Sequence, residues 1–170
     1  MLLHFSEQAD IEQFIPRKNH SYPELPPAVW AIDEAHAPLY FFPRDCPRIA
    51  FWVLPDTNEL EREQYAAATT ARMVIATESR WLEQIRRTRL YVYHFEEGPF
   101  SCFDQGAGYF IANEPILPVR VEPVGDLLQR LAESNVELRL TPSLFPLQQA
   151  LLQSSLHVSM IRMRNAVHSK

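Results

Sequence analysis

The sequence predicts an α+β fold, in which short peripheral helices surround a mixed or mostly antiparallel sheet. Short runs of alternating apolar residues are mixed irregularly with short helical patterns, which does not fit a regular array of βαβ units. Only four glycines are present, and none forms a phosphate-loop or dinucleotide-binding fingerprint. The chain has 170 residues, 46% of them hydrophobic, so we expect one globular domain over residues 1–170.

The first quarter of the chain predicts two strands joined by irregular segments. Residues 1–5 form the first strand, and Ser6 is placed to cap a helical turn over residues 7–15, where apolar residues recur at i, i+3 and i+4. Residues 17–27 are polar and proline-rich, which is typical of an extended surface loop. Residues 28–32 form the second strand, and Asp33 then begins a helix that prolines keep short.

The rest of the chain predicts further strands and helices in irregular order. Strands are expected from alternating or continuous apolar residues at 48–54, 73–76, 90–95, 100–103, 109–112, 117–121 and 136–140. Helices are expected from capping residues and helical spacing at 58–68, from Ser79, from Pro123 and from Pro142. The tail is basic, with Arg162, Arg164 and Lys170, and has apolar anchors that include Leu156 and Val158.

Composition argues against several kinds of partner. The net charge of −5 disfavours nucleic acid, because binding duplex phosphates requires a basic face. No run approaches the roughly 18 apolar residues of a membrane helix, and no secretory signal is visible at the start. Two cysteines are too few for a disulfide framework, so we expect a cytoplasmic protein without membrane contact.

The first strand carries a histidine and a serine that are candidate site residues. His4 follows two leucines. It either lies at a cleft as a catalytic imidazole or is a buried side chain bonded to a backbone carbonyl. Ser6 is a candidate ligand-binding residue that a helix cap explains equally well.

A second candidate cluster lies between residues 30 and 40. Asp33 and His36 are three residues apart, so on a helix the carboxylate can orient the imidazole for acid–base catalysis. Trp30 and Tyr40 flank these charges and suggest an aromatic wall that stacks on a ligand. The alternative is that Asp33 is only a helix cap.

Three charged residues follow in a segment fixed by prolines. Arg44 and Arg48 could clasp a phosphate or carboxylate with their guanidinium groups, and Asp45 would belong to the same ligand-binding loop. The alternative is an ion-paired corner formed by Arg44 and Asp45. Cys46 is expected to be a packed thiol.

A last pair of candidates lies near the end of the predicted strand at 109–112. Tyr109 is a candidate ligand contact, and Glu114 is a candidate catalytic carboxylate that simple solvation also explains. The six histidines show no HExxH motif and the cysteines no paired spacing, so no metal site is expected. The cofactor is left open.

In several of these segments the chain resembles an uncharacterised bacterial family of small proteins. The resemblance covers nearly the whole sequence but implies no activity. It is carried by His4-Phe5-Ser6, residues 29–48, Gly108-Tyr109-Phe110, Glu114-Pro115, residues 121–127 and residues 161–166.

A more distant resemblance is to the ADP-ribosyltransferase-like fold. This resemblance rests on three segments: the opening strand with His4 and Ser6, the aromatic segment from Trp30 to Tyr40, and a late strand near Tyr109. The resemblance implies that His4 contacts a ribose hydroxyl and that Trp30 or Tyr40 stacks on a nicotinamide-like ring. Glu114 would stand in for the carboxylate of such a site.

Three functions follow as hypotheses. The first is a pocket for a nucleotide-like or other anionic small ligand, with transferase-like chemistry left open. The second is a non-enzymatic interaction or structural module whose polar clusters are internal networks and whose tail docks a partner or forms a homo-oligomer. The third is a small hydrolase in which His36 works with Asp33 or Asp45.

Overall fold

In a computed structural model, residues 1–167 are described, and they confirm the α+β class. The described chain contains ten strands and four α-helices. The strands are β1 (Leu2–Ser6), β2 (Val29–Ile32), β3 (Arg48–Trp52), β4 (Met73–Glu78), β5 (Tyr91–Phe95), β6 (Ser101–Asp104), β7 (Tyr109–Ala112), β8 (Arg120–Pro123), β9 (Val136–Thr141) and β10 (His157–Ile161). The helices are α1 (Glu59–Ala68), α2 (Leu82–Arg87), α3 (Leu127–Glu133) and α4 (Phe145–Leu151).

The described chain packs into two compact units. Unit 1 consists of Met1–Tyr40 and Arg89–Gly125. Unit 2 consists of Phe41–Thr88 and the described residues from Asp126 onward. Each unit has one sheet and is assembled from two separate stretches of chain. The prediction of one globular domain over residues 1–170 stays a prediction.

The sheet of unit 1 has six strands in the order β6-β7-β2-β1-β5-β8, and all neighbours run antiparallel. Leu3 of β1 lies opposite Ile32 of β2 and, on the other edge of β1, opposite His94 of β5. Paired residues project to the same face of a sheet and successive residues project to opposite faces. The register therefore sorts every side chain of these strands onto one of two faces.

One face of this sheet carries the apolar core of unit 1. Phe14 packs edge-on against both Tyr93 and Phe95, with ring centroids 5.0 Å apart in each pair. The buried members of this core are Leu2, Phe14, Val29, Ala31, Tyr93, Phe95, Ala112 and Ile116.

The opposite face of the sheet carries a second set of rings. We call it the aromatic face and define it by Phe5, Trp30 and Tyr109 from the strands, with Tyr40 from the single-turn 3-10 helix Ala37–Tyr40. The same register puts Leu3 and Ile32 on this face.

Unit 2 has a mixed four-stranded sheet in the order β10-β3-β4-β9, where only the β4–β9 pair is parallel within the described residues. Strands β3 and β4 are buried throughout, because they are central in the sheet and apolar on both faces. The buried core residues on one side are Ile49, Phe51, Val74, Ala76, Leu144, Leu151 and Ala166.

Two local predictions are wrong. Residues 7–15 form no helix: Phe14 makes an isolated bridge to Ile116, and its ring joins the core of the sheet. Ser6 ends β1, and its hydroxyl accepts a hydrogen bond from the amide of Gln8. Tertiary packing of the aromatic ring therefore overrides the helical spacing.

The predicted tail and one predicted strand also differ from the structure. Residues 157–161, expected as part of a docking tail, form β10 and pair along all of β3. The strand expected at 117–121 begins at Arg120, and Leu117 and Val119 are exposed. Lys170 of the predicted tail lies outside the described residues. Within residues 1–167 no helix is both long and apolar enough to cross a bilayer.

Candidate functional site: an aromatic pocket in unit 1

A pocket opens on the aromatic face of unit 1. The empty space in and above it is about 330 Å³, a volume that includes open solvent. It is lined by Leu3, His4, Phe5, Trp30, Ala31, Ile32, Tyr40 and Tyr109. These residues come from β1, β2, β7 and the 3-10 helix that follows β2, and the lining includes no arginine, lysine or carboxylate.

Four rings form the walls of this pocket: Phe5, Trp30, Tyr40 and Tyr109. Phe5 and Tyr40 lie nearly parallel, with an interplanar angle of 6° and centroids 6.2 Å apart. Tyr109 stands almost perpendicular to Tyr40 at 6.5 Å and to Trp30 at 6.0 Å. Such walls present both ring faces and ring edges, which suits contact with another planar ring.

On this face, the polar groups of the pocket are the phenol hydroxyls of Tyr40 and Tyr109. The Tyr40 hydroxyl donates a hydrogen bond to the Tyr109 hydroxyl at 3.1 Å. The proton of the Tyr109 hydroxyl has no acceptor among residues 1–167. Tyr109 can therefore donate to a ligand without breaking a bond within the protein.

Trp30 is held in place by rings outside the pocket. Tyr22 stacks on it at 5.3 Å and Phe103 meets it edge-on at 5.1 Å. Its indole nitrogen is shut off from solvent and has no hydrogen-bond partner in the described part of the chain. The ring of Trp30 thus acts here as a rigid wall rather than as a hydrogen-bond donor.

Asp33 and His36 form the carboxylate–imidazole pair that their spacing suggested, but neither residue is part of the pocket lining. Asp33 Oδ1 accepts hydrogen bonds from the backbone amide of His36 at 2.8 Å and from His36 Nδ1 at 2.7 Å. The pair directly follows Ile32 of the pocket lining. Residues 34–36 form a turn before the 3-10 helix, so Asp33 caps this turn and orients the imidazole at the same time.

Gly108 makes this arrangement sterically feasible. Its carbonyl accepts the amide of Asp33 at 3.0 Å, and its φ is +70°. A Cβ at this position would lie 2.3 Å from His36 Nδ1 and 2.7 Å from Asp33 Oδ1. Only a glycine allows β7 to begin this close to the Asp–His pair.

The environment of Asp33 favours its charged form. Burial alone would raise the pKa of this carboxyl group, but the hydrogen bonds from the ring and amide of His36 outweigh burial. The pKa of Asp33 therefore lies below its ordinary value. The carboxylate is ionised at neutral pH and holds the His36 ring with Nδ1 toward it.

The catalytic role expected for His4 is not supported by its orientation. Because His4 is adjacent to Leu3 in β1, its ring lies on the core face, opposite to the aromatic face. The ring meets Phe14 edge-on at 4.8 Å, and Nδ1 lies 2.9 Å from the carbonyl oxygen of Trp30. His4 is thus the histidine bonded to a backbone carbonyl, and it is also one of the residues that line the pocket.

Ser6 and Glu114 lie in unit 1 but outside the pocket lining. Ser6 Oγ is engaged by the amide of Gln8. Glu114 is exposed and has no hydrogen bond or ion pair within residues 1–167. It follows the end of β7 as a solvated carboxylate, so the structure brings neither residue to the pocket.

The two arginines expected to clasp an anion, Arg44 and Arg48, belong to unit 2, as does Asp45 of the same predicted loop. Arg48 is 2% exposed, donates to the carbonyl of Cys46 at 2.8 Å and lies over the Phe42 ring. This packing corrects the expectation that Arg48 binds a ligand. The carbonyls of Arg44 and Asp45 accept hydrogen bonds from Arg162 and Asn165.

Cys46 is the packed thiol that the sequence predicted. It is fully buried, and its sulfur lies 3.2 Å from the Thr77 hydroxyl oxygen. Burial raises the pKa of this thiol above its ordinary value, which disfavours the nucleophilic thiolate. Among the described residues, no group of three or more histidine, cysteine or carboxylate side chains is arranged to hold a metal ion.

One polar cluster on the aromatic face was missed by sequence reasoning. His94 Nε2 lies 2.9 Å from Glu122, and Arg120 lies 3.4 Å from His94 Nδ1. The alternation of charged and apolar residues from Arg120 to Glu122 was visible, but it predicts only an exposed strand face. The register with β5, which places this cluster beside Leu3, could not be read from the sequence.

The comparisons with known proteins identify a family but no activity. A model of DUF6886, described as a family of unknown function, matches residues 3–166. No curated protein and no solved structure matches the chain. The resemblance to an uncharacterised family is confirmed, while the bacterial origin and the ADP-ribosyltransferase-like fold stay predictions.

Proposed function

The chain belongs to this family of unknown function, DUF6886, and from the geometry of its pocket we propose that unit 1 binds a small ligand through a planar ring. The observation that carries the proposal is the pocket bounded by Phe5, Tyr40 and Tyr109, with a phenol proton to donate. A nucleobase or nicotinamide-like ring has this shape and offers acceptors at its edge.

In this proposal the Asp–His pair would supply the chemistry from beside the pocket, since it follows Ile32 of the lining but is not itself part of that lining. Asp33 holds His36 Nδ1, so proton exchange with a ligand would use the Nε2 atom. His36 would act as the acid or base, and Asp33 would orient it. Ring binding does not require this step, so binding and turnover are tested separately.

Isothermal titration calorimetry with free bases, nucleosides and NAD tests the binding. We expect at least one ligand to bind the wild type. Tyr109→Phe removes one hydrogen bond worth about 1 kcal/mol, so binding should weaken about fivefold. Tyr40→Ala removes a wall of the pocket and should weaken binding further. Tyr65→Phe, a tyrosine of unit 2, is the matched control and should bind like the wild type.

Two results would contradict the proposal. One is the absence of binding across the whole panel, and the other is equal affinity in wild type and Tyr40→Ala when circular dichroism shows that both are folded. The non-enzymatic module would then be the better hypothesis. Internal polar networks in unit 2 favour it, such as buried Glu78, which accepts from Arg80 at 2.8 Å and from the amide of Val167 at 2.7 Å.

A further inference from the structure

We infer that the planar ring bound by the aromatic pocket carries a positive charge, as an N-alkylated pyridine or purine ring does. This inference rests on the proposed function and names the class of ligand within it. It also assigns a selectivity role to Asp104, a carboxylate beside the pocket. Three observations support it: the ring faces of the pocket, the position of the neighbouring carboxylates and the charge of unit 1.

The walls of the pocket are surfaces that attract cations. Phe5 and Tyr40 lie nearly parallel, and Tyr109 stands almost perpendicular to Tyr40. The face of an aromatic ring is electron-rich, so it stabilises a cation that lies within about 6 Å of the ring centroid. Trp30 adds a further ring to the lining. A charged planar ring would gain from these walls both apolar contact and attraction of its charge.

Asp104 lies next to Tyr109 on the aromatic face of the sheet. The two residues are paired across β6 and β7, and paired residues of a sheet share a face. Their Cβ atoms are therefore about 5 Å apart. A bulge between Cys102 and Asp104 puts Phe103 on this face as well, where its ring meets Trp30. A ligand that touches Tyr109 thus lies close to the half-buried carboxylate of Asp104.

Asp33 adds a second negative charge near Tyr109. Its amide donates to the carbonyl of Gly108, the residue before Tyr109, and Asp33 directly follows Ile32 of the lining. Its side chain is 33% exposed, and its ion-pair partner is His36 rather than a lysine or arginine. When the imidazole is neutral, the pair carries one net negative charge, which attracts a cation in the pocket.

The charge of unit 1 as a whole has the same sign. This unit contains eleven aspartate or glutamate and four lysine or arginine side chains, a net charge of −7, whereas the whole chain has −5. None of these four basic side chains, all among the described residues, lines the pocket. Arg120 shares the face, but buried His94 lies between it and Leu3 of the lining. The surroundings of the pocket therefore favour a cation over an anion.

Calorimetry at neutral pH with matched ligand pairs tests the inference. One pair is 1-methylnicotinamide and 3-methylbenzamide, which have the same shape but differ in charge. The other is 1-methyladenosine, a cation at neutral pH, and its uncharged isomer N6-methyladenosine. In the wild type we expect the cation of at least one pair to bind about tenfold more tightly, because it gains attraction from the ring faces. Asp104→Asn keeps an oxygen for the amide of Ala107, and should weaken the cation about threefold and the neutral partner hardly at all.

A second variant and a control keep the test decisive, with circular dichroism to show that each variant is folded. Tyr40→Leu keeps an apolar side chain but removes a ring face, so it should weaken the cation more than its neutral partner. Glu114→Gln removes an exposed carboxylate of unit 1 outside the pocket and should leave both affinities unchanged.

Three results would overturn the inference but not the proposed function. The first is that the neutral members bind the wild type as tightly as the cations. The second is that Asp104→Asn and Glu114→Gln weaken the cation equally. The third is that neither pair binds while an uncharged ring of the wider panel does. If no ligand of either set bound, both the inference and the proposed function would fail.

Discussion

Gly108 is the residue on which the geometry of the Asp–His pair depends most directly. Its φ of +70° is one that other residues rarely adopt, and its missing side chain leaves room for Asp33 and His36. We expect Gly108→Ala to lower the free energy of unfolding by about 1–3 kcal/mol, from backbone strain and from displacement of the pair. Urea unfolding followed by tryptophan fluorescence measures this change.

Gly98→Ala is the matched control for that substitution. A Cβ at Gly98 would meet nothing within 4 Å. It should leave stability unchanged or raise it slightly, by up to about 1 kcal/mol, by restricting the unfolded chain. Equal stability of Gly108→Ala and the wild type would show that β7 does not approach the pair as closely as described.

The site residues show how far single positions can be read from sequence. Asp33 and His36 were predictable, because their spacing of three lets a capping carboxylate reach the ring. The orientation of His4 was not predictable, because its apolar neighbours are compatible with burial of either face of the strand. The contact of Arg120 with His94 depends on a pairing between strands far apart in the sequence, which no local pattern encodes.

Among the elements, helix α1 depends strongly on its N-cap residue, Asn58, which directly precedes Glu59. Asn58 Oδ1 accepts the amide of Glu61 at 2.9 Å, and Asn58 Nδ2 donates to Glu61 Oε2 at 2.9 Å. No residue of α1 is fully buried, although Tyr65 packs against the core of unit 2, so the cap should contribute noticeably to the stability of this helix. We expect Asn58→Ala to destabilise the protein by about 1 kcal/mol, and thermal unfolding measures it.

Asn58→Asp keeps an oxygen that can cap the helix and is the comparison for this effect. It should retain most of the stability, although the new carboxylate lies beside Glu61. If the alanine and aspartate variants lost the same stability, capping would not be what Asn58 contributes.

Most strands were predictable because alternation of apolar residues is a local signal. The strands predicted at 109–112 and 136–140 match the observed bounds of β7 and β9 to within one residue. The helix expected over residues 7–15 failed because Phe14 is held in a bridge to Ile116 with its ring in the core, while Ile15 is exposed. Strand β10 was missed because pairing with β3, not its own composition, makes it a strand.

For the whole molecule, the pairing of strands that are far apart in the sequence determines the expected folding rate. Leu3 pairs with His94, and Met73 pairs in parallel with Val136. Both sheets thus require contacts between residues far apart in the chain, which slows folding. We expect refolding in milliseconds to seconds, measured by stopped-flow tryptophan fluorescence after dilution from urea. Complete refolding within microseconds would contradict this topology.

The fold class was predictable at this scale, but the division into two units was not. Irregular alternation of short strands and helices fits α+β architectures in general. The sequence shows no composition change near Tyr40 or Arg89, where the chain passes between the units. Which strands join which sheet is decided by side-chain packing between remote segments, and a single sequence does not display it.

The interleaved arrangement of the two units has a consequence for synthesis on the ribosome. When the first 88 residues have been made, β1 still lacks its neighbour β5, and β4 still lacks β9. In both units, strand edges with unpaired backbone N–H and C=O groups therefore persist while translation continues. Such edges can pair with other nascent chains. Newly made chains should benefit from chaperones that shield these edges until β5 and then β9 have emerged.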